Sequence, residues 1–285
     1  VVFGIAGFVG SSLLSKLINN DEYDIIGVDN FSYGYKERIK GLTNKFKFYH
    51  EDLEDFCKKK IKYVDAVINC AAIAPLPDNQ IDHHRSIVQN VASCGAIVDF
   101  CSKNGIKKII HFSSSAVYEN GPSSKGIPAS LKHELKPLLM YPVSKYLSEI
   151  YLESQYKQFN LDIYCIRLFN LYGPMQDYFR TQPPLLGYLI KNLFHQKPVT
   201  LYATKKAVRD YININDLIDF IIICLNKKSK NNFSRVNLGS GKSYSVYDLI
   251  NVLESVSGKK LTFKMGKTSS FWKKYNNLFS RKAPL

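Results

Sequence analysis

The first 29 residues leave few folds open. An apolar strand ends at Phe3, and glycines follow at positions 4, 7 and 10 in the order GIAGFVG. Phe8 to Ile18 carries apolar side chains at helical spacing, and Tyr23 to Val28 reads as a second strand closing on Asp29. Strand, glycine turn, helix and strand make a βαβ unit, whose strands must run parallel because the helix carries the chain back. Strand-like Phe46 to Tyr49, Ala66 to Cys70 and Lys108 to Phe112 follow between helical stretches. An α/β fold on a doubly wound parallel sheet is therefore predicted. After Leu161 to Ile166 the rhythm loosens, with Pro174, Pro183, Pro184 and Pro198 punctuating polar loops. A smaller second lobe is expected, with a boundary near Gly173 separating residues 1–173 from 174–285 and some later segments returning to the sheet. Ile87, Val91, Cys94, Val98 and Cys101 keep one helical face apolar over four turns, which suits packing on that sheet or on a partner subunit.

A glycine turn alone is a weak signal, since such turns are common. Here it joins a strand to an amphipathic helix, so the backbone at Gly4, Gly7, Phe8, Val9 and Gly10 can approach a pyrophosphate, and the helix start supplies unpaired amides. Asp29 lies 19 residues after Gly10, where a carboxylate can accept from both hydroxyls of an adenosine ribose and would repel a 2′-phosphate. Asn30 and Phe31 follow it where an NADP site would favour Arg, so NAD is the expected cofactor. The plain alternative makes Asp29 a turn residue. Asp52 and Leu53, after the third strand, are placed to border an adenine, although Asp52 is equally a candidate helix cap.

Near the middle of the chain, Tyr141 and Lys145 stand four apart in a stretch with helical apolar spacing to Tyr156, which puts both on one helix face. A free phenol, with a pKa near ~10, is only about 0.1% ionised at neutral pH; a nearby ammonium favours the ionised form and suits the Tyr to proton transfer. The motif recurs by chance, and its bland reading is an exposed helix turn. What precedes it decides: HFSSSAVY at His111 to Tyr118 places three hydroxyls at the C-terminal end of a parallel strand, where doubly wound sheets bind ligands. An ST-turn or helix cap accounts equally well for two of the three. Dinucleotide turn and Tyr–Lys pair together predict redox chemistry on an alcohol.

The chain resembles the extended short-chain dehydrogenase/reductase family, in particular the NAD-dependent epimerases and dehydratases of nucleotide sugars. The resemblance extends to about residue 257 and rests on GIAGFVG, VDN at Val28 to Asn30, EDL at Glu51 to Leu53, INCAA at Ile68 to Ala72, SSSAVY, YPVSK at Tyr141 to Lys145, RLFNLYGP at Arg167 to Pro174, RDYININD at Arg209 to Asp216 and NLGSGKSYSV at Asn237 to Val246. It implies a Rossmann domain that holds NAD, with Ala71 and Ala72 beside the cofactor, and a smaller C-terminal substrate-binding lobe. Tyr141 would be the base, and Lys145 would bind the nicotinamide ribose. Ser114, four before Tyr118, would bridge Tyr and substrate, with Ser115 beside it. Asn170 would contact the diphosphate region, Arg209 would pair with a phosphate, and Asn90 would be mainly structural. A homodimer is implied as well.

Relatives that eliminate water resemble one another in an Asp and Glu after the strand-end hydroxyl, because removing the C5 proton and expelling hydroxide need a base and an acid. Ser115 and Ala116 stand there instead. The expected reaction is thus epimerisation at C4 of a nucleotide-diphosphate sugar through a 4-keto intermediate, of the UDP-glucose or UDP-N-acetylglucosamine type. The alternatives are a 4,6-dehydratase, a net 4-dehydrogenase or reductase, and a non-catalytic NAD-binding sensor. Residues 266–285 depart from the family's late Arg and Asp motif, which suggests a truncated or discontinuous C-terminus; Trp272 there reads as packing or interface. GSGKS at Gly239 to Ser243 superficially suggests a phosphate-binding loop, but position 236 is Val where such a loop needs Gly. It reads as a turn before a helix started by Ser245 and Asp248.

The net charge of +15 is compatible with an anionic substrate. The lysines are dispersed, and the denser groups, Lys58 to Lys60 with Lys62 and Lys227, Lys228 and Lys230, lack the interleaved aromatics of a nucleic-acid reader. Neither nucleic acid nor membrane is an expected partner: the longest apolar stretch, Leu217 to Leu225, is interrupted by Asp219 and too short to span a bilayer. The six cysteines form no CxxC pair and mostly sit in apolar runs, so reduced thiols, a cytoplasmic setting and no metal site are expected. The chain opens inside a strand without Met, so a few N-terminal residues are expected to precede it.

Overall fold

A computed structural model of the chain describes residues 1–122, 127–177, 180, 183–202, 207–227 and 232–266. In chain order the elements are β1 (Val2–Phe3), α1 (Phe8–Leu17), β2 (Ile26–Val28), β3 (Lys47–Tyr49), α2 (Leu53–Cys57), β4 (Ala66–Asn69), α3 (Leu76–Ile81) and α4 (His83–Ile87). A π-helical turn (Val88–Ala92) then leads into α5 (Ser93–Asn104), β5 (Lys108–Ser114), α6 (Met140–Gln155), β6 (Asp162–Leu168), β7 (Asn170–Tyr172) and α7 (Leu185–Phe194). The last are β8 (Val199–Leu201), β9 (Val208–Asn213), α8 (Ile214–Asn226), β10 (Phe233–Leu238), β11 (Ser243–Ser245), α9 (Val246–Ser257) and β12 (Phe263–Met265).

Seven strands form one sheet in the order β10-β6-β5-β4-β1-β2-β3, parallel at each pairing from β3 through β6. The order reverses between β1 and β4, and ligands of open parallel sheets bind outside the carboxyl ends of strands at such a reversal. Val2 stands in register with both Gly27 of β2 and Ile68 of β4, which carries Gly4, Asp29 and Cys70 to the same sheet edge. Helices flank the sheet in two groups, α1 with α8, and α2, α5 and α6 in succession. Phe3, Phe56 and Phe100 meet edge to face or tilted, with ring centroids 5.6–6.4 Å apart, at the centre of the core. Cys57, Cys94 and Cys101 belong to this core, and burial pushes the Cys94 thiol up to about 12, so it behaves as a small hydrophobe. Of the apolar face anticipated from Ile87 to Cys101, Cys94, Val98 and Cys101 are buried, joined by Ile97 and Phe100, while Ile87 and Val91, before and within the π-helical turn, are half-buried.

The central strand β5 is buried along six of its seven residues, as a strand covered on both faces should be, yet it contains Lys108 and His111. Lys108 is accommodated because its Nζ donates to the carbonyls of Cys224 and Leu225 at 2.9 and 2.7 Å and also to that of Lys227, a cationic cap on the end of α8.

The chain separates into two compact units: residues 1–117, 138–168 and 214–236 in the first, and 118–137, 169–213 and 237–285 in the second. The second is built on the sheets β11-β9-β7 and β12-β8, with Leu189, Leu193, Val199, Leu201, Val246, Leu249, Ile250 and Leu261 as its core. Ser245 and Asp248 form the reciprocal capping box that starts α9. In the GSGKS turn the buried Asp210 carboxylate accepts from Ser240 N, Ser240 Oγ and Gly241 N at 2.7–3.0 Å. Those amides serve an internal carboxylate and not a phosphate. Trp272 and the rest of residues 267–285, with Lys228 and Lys230, lie outside the described residues. Among the described residues no helix is long and apolar enough to cross a membrane, and no group of three His, Cys, Asp or Glu is placed to hold a metal.

Candidate active site

The glycine turn is shaped by close backbone approaches. Gly4 adopts φ +73°, and a Cβ there would lie 2.8 Å from Ala71 N in the loop after β4. A Cβ on Gly10 would lie 2.2 Å from Gly4 O, so the start of α1 can sit on the turn only without one. Gly7 is the N-cap of α1, and the helix start that carries Phe8, Val9 and Gly10 is without a side-chain cap, as a pyrophosphate site requires. Asp29 is 7% exposed; its Oδ2 accepts from Ala6 N at 2.9 Å and its Oδ1 from Phe31 N at 2.8 Å. Burial raises its pKa, and those two amides pull it back down. The carboxylate thus ties the end of β2 to the glycine turn while each oxygen keeps acceptor capacity.

Asn30 donates through Nδ2 to Asp52 Oδ1 at 2.5 Å and accepts from Ser32 N. Asp52 does occupy the N-cap position of α2, but its side chain makes no capping bond. Leu53 is half-buried against the core. Ala71 N donates to Asn69 Oδ1 at 3.2 Å, which fixes the loop carrying Ala71 and Ala72 beside Gly4.

The helix carrying Tyr141 and Lys145 differs from its sequence reading. The buried face of α6 consists of Pro142, Ser144, Lys145, Ser148, Glu149 and Leu152, so four of six are polar. Lys145 is held by a hydrogen bond from Nζ to Phe112 O at 2.9 Å, and burial lowers its pKa from the usual lysine value. Tyr141 stands one turn earlier, half-buried. Glu149, one turn later and fully buried, accepts from Arg167 Nε and Nη2 at 2.6–3.1 Å, from Arg235 Nε at 3.0 Å and from Ser113 Oγ.

Those contacts sort the three serines at the end of β5. Ser113 is committed to Glu149, and Ser115 is buried where a 3-10 turn begins. Ser114 is half-buried and accepts from Ala116 N at 3.1 Å, a local turn that leaves its hydroxyl hydrogen to donate. Its strand end, Lys145 and the glycine turn share the carboxyl edge of one parallel sheet.

In the second unit, Asn170 and Arg209 sit on paired strands, where Asn170 is in register with Tyr211. Asn170 Nδ2 donates to Asp210 O at 2.8 Å, and Arg209 Nη1 to Val208 O at 2.8 Å. Asn90 is a buried structural hub: its Oδ1 accepts from Ile73 N, and its Nδ2 meets Ile73 O, Asn79 Oδ1 and Ser144 Oγ. Asn69, His111, Ser148 and Glu149 were not marked in the sequence. Asn69 and His111 stood inside the INCAA and HFSSSAVY motifs without a role, and for Ser148 and Glu149 the signal was polar residues recurring along α6.

Residues 1–239 match the family described as NAD dependent epimerase/dehydratase. An uncharacterised UDP-glucose epimerase of Bacillus subtilis is 28% identical over 288 residues, covering 95% of this chain and 88% of its own. Among solved structures, the UDP-N-acetylglucosamine 4-epimerase of Methanobrevibacter ruminantium in complex with UDP-N-acetylmuramic acid is 25% identical, with a TM-score of 0.85 over 94% of this chain and 85% of that one. The UDP-glucuronic acid 4-epimerase of Bacillus cereus, in complex with UDP-glucuronic acid and NAD, is 26% identical with a TM-score of 0.81, over 100% of this chain and 93% of that one. With a family match spanning 239 of 285 residues and the uncapped glycine turn, the Asp29 carboxylate and the buried Lys145 all on one sheet edge, the chain belongs to the NAD dependent epimerase/dehydratase family.

Proposed function

We propose that this chain epimerises a UDP-sugar at C4, with UDP-glucose or UDP-N-acetylglucosamine as substrate. The observation that carries the reading is the buried Lys145 ammonium, anchored on Phe112 O two residues before Ser114 and one helical turn after Tyr141. The 4-epimerase relatives described above support the choice of substrate class.

The uncapped turn at Gly4, Gly7 and Gly10, with Asp29, Asn30, Asp52, Ala71 and Ala72 around it, fits NAD, which when bound supplies a nicotinamide that takes a hydride from C4 and returns it. Tyr141 accepts the O4 proton as the alcohol is oxidised and gives it back on reduction. Lys145 favours the ionised phenol through its charge, and Ser114 donates a hydrogen bond to O4. Asn170 and Arg209 hold the diphosphate, Arg209 as a permanently charged fork. Ser115 and Ala116 stand where an elimination would need an acid and base pair, so the 4-keto sugar is reduced again without loss of water. In this reading residues up to about Gly173 mainly serve NAD and the later lobe mainly serves the nucleotide sugar, with residues 214–236 returning to the first unit. The enzyme acts in the cytoplasm as a homodimer in polysaccharide biosynthesis; Leu147 and Ile150, 39% and 45% exposed on α6, support a partner surface there.

Incubation with UDP-glucose, UDP-N-acetylglucosamine, UDP-glucuronate and GDP- or dTDP-sugars, followed by NMR without added cofactor, tests the reading. A 4-epimer formed without net NADH is expected from a UDP-sugar, and Tyr141→Phe should abolish it. A 4-keto-6-deoxy product, or no turnover across the panel, overturns the assignment.

A further inference from the structure

The carbonyls of Tyr141 and Lys145 each accept from the serine three residues on, Ser144 Oγ at 2.8 Å and Ser148 Oγ at 2.7 Å. Each serine is gripped from outside the helix as well. Asn90 Nδ2 reaches Ser144 Oγ at 3.0 Å, and His111 Nε2 lies 3.0 Å from Ser148 Oγ. Ser148 is 0% and His111 2% exposed, so neither can trade its partner for bulk water.

The proton positions along the second string follow from the heavy atoms. Asn69 Oδ1 accepts from Ala71 N at 3.2 Å, which orients the amide so that its Nδ2 faces His111 Nδ1 at 3.2 Å. An amide nitrogen only donates, so Nδ1 is the acceptor and the neutral ring carries its hydrogen on Nε2. Nε2–H then donates to Ser148 Oγ, whose own hydrogen goes to Lys145 O. Lys145 of α6 and Cys94 of α5 face this ring, and Cys165 of β6 stands in register with His111, while Cys70 and Glu149 lie around the Lys145 ammonium. Burial and the Lys145 charge both disfavour an imidazolium here.

A central parallel strand has no packing need for histidine, and burying one is costly unless both nitrogens are bonded. His111 has both, and the string they complete runs from Ala71, against the glycine turn, to the backbone of Lys145. Its neighbour on β5, Phe112, supplies the carbonyl that holds the Lys145 ammonium. We propose that His111 is a positioning residue, which through Asn69 and Ser148 sets Lys145 against the cofactor loop.

This inference rests on the catalytic reading of Tyr141 and Lys145, and the test separates the two. With the full chain and UDP-glucose or whichever UDP-sugar the panel identifies, His111→Phe should lower kcat about tenfold with KM within about twofold, the pattern of a displaced catalytic group. His111→Gln, which can accept and donate at similar places, should recover to within about threefold. Ser148→Ala should match His111→Phe, and the double variant should be no slower than either, because both break one string. A readout independent of turnover is the imidazole nitrogen NMR spectrum of the wild type, expected to show a neutral Nε2–H tautomer at neutral pH. An unchanged kcat in His111→Phe, additive losses in the double variant, or an Nδ1–H tautomer would overturn the proposal. If Tyr141→Phe keeps full activity, the catalytic reading itself fails, whatever the tautomer.

Discussion

Glu149 carries the heaviest electrostatic load described in the fold, and replacing it with Gln should show how that load is shared. Its carboxylate has a side-chain exposure of 0%; Arg167, at 3%, meets it with Nη2 at 2.6 Å, and Arg235, at 23%, with Nε at 3.0 Å. Glu149→Gln keeps the shape but removes the charge. Arg235 is partly solvated and retains Glu153 at 2.7 Å, so it loses little. Arg167 loses the carboxylate it meets at 2.6 Å, and neutralising one partner of a buried pair costs about 3–5 kcal/mol. That is a large part of the ~5–15 kcal/mol by which domains are usually stable.

Removing both charges should be milder. In a Glu149→Leu, Arg167→Met double variant the main cost is the orphaned Ser113 hydroxyl, about 1–3 kcal/mol. Urea unfolding at pH 7 without cofactor, followed by circular dichroism, measures the wild type, Glu149→Gln, the Glu149→Leu and Arg167→Met singles and the double variant. The double variant is expected to be more stable than Glu149→Gln. Loss of under about 1 kcal/mol in Glu149→Gln, or a double variant as unstable as the summed singles, would refute this account.

Two other predictions concern residues nearer the glycine turn and the central strand. His111 is held neutral, its pKa well below the ordinary 6.5 because of burial, so below pH 6.5 the unfolded chain takes up a proton that the folded chain resists. Stability should therefore fall as pH drops from 6.5 toward the folded value, with this one group adding at most ~1.4 kcal/mol per pH unit. Denaturation midpoints at pH 7, 6 and 5 should show a shallower dependence in His111→Phe, and identical slopes would count against the buried neutral ring. Gly10→Ala would drive a methyl into Gly4 O and Ile5 Cα, both backbone atoms, so the turn must open. Calorimetry should find NAD affinity reduced more than about tenfold, since the cradle depends on close backbone approach; a dissociation constant within twofold of wild type would rule that out.

The parallel sheet, the strand order's starting unit and the places of Gly4, Asp29, Tyr141 and Lys145 were legible in the sequence because each depends on local spacing. Periods of two and 3.6, a missing side chain at a tight turn and an interval of four along a helix are properties of neighbouring residues. Several things were not local. Helical spacing put Tyr141 and Lys145 on one face of α6 but did not show that the fold buries Ser144, Lys145, Ser148 and Glu149 there. Three serines in a row are equivalent as text; Glu149, 36 residues away, commits Ser113 and leaves Ser114 the half-buried hydroxyl at the strand end.

Residues 214–236 join the first unit across an intervening stretch of the second, which no proline-rich boundary could reveal. The sequence already marked GSGKS as a turn before a helix, but only the tertiary structure brings Asp210, 30 residues earlier, in to fill it. Sequence by itself therefore determined which backbone a dinucleotide could approach and which phenol an ammonium could assist. Tertiary structure decided which polar groups are free to act, because a buried donor or acceptor must find its partner wherever the chain returns, and that return is not written in any short interval.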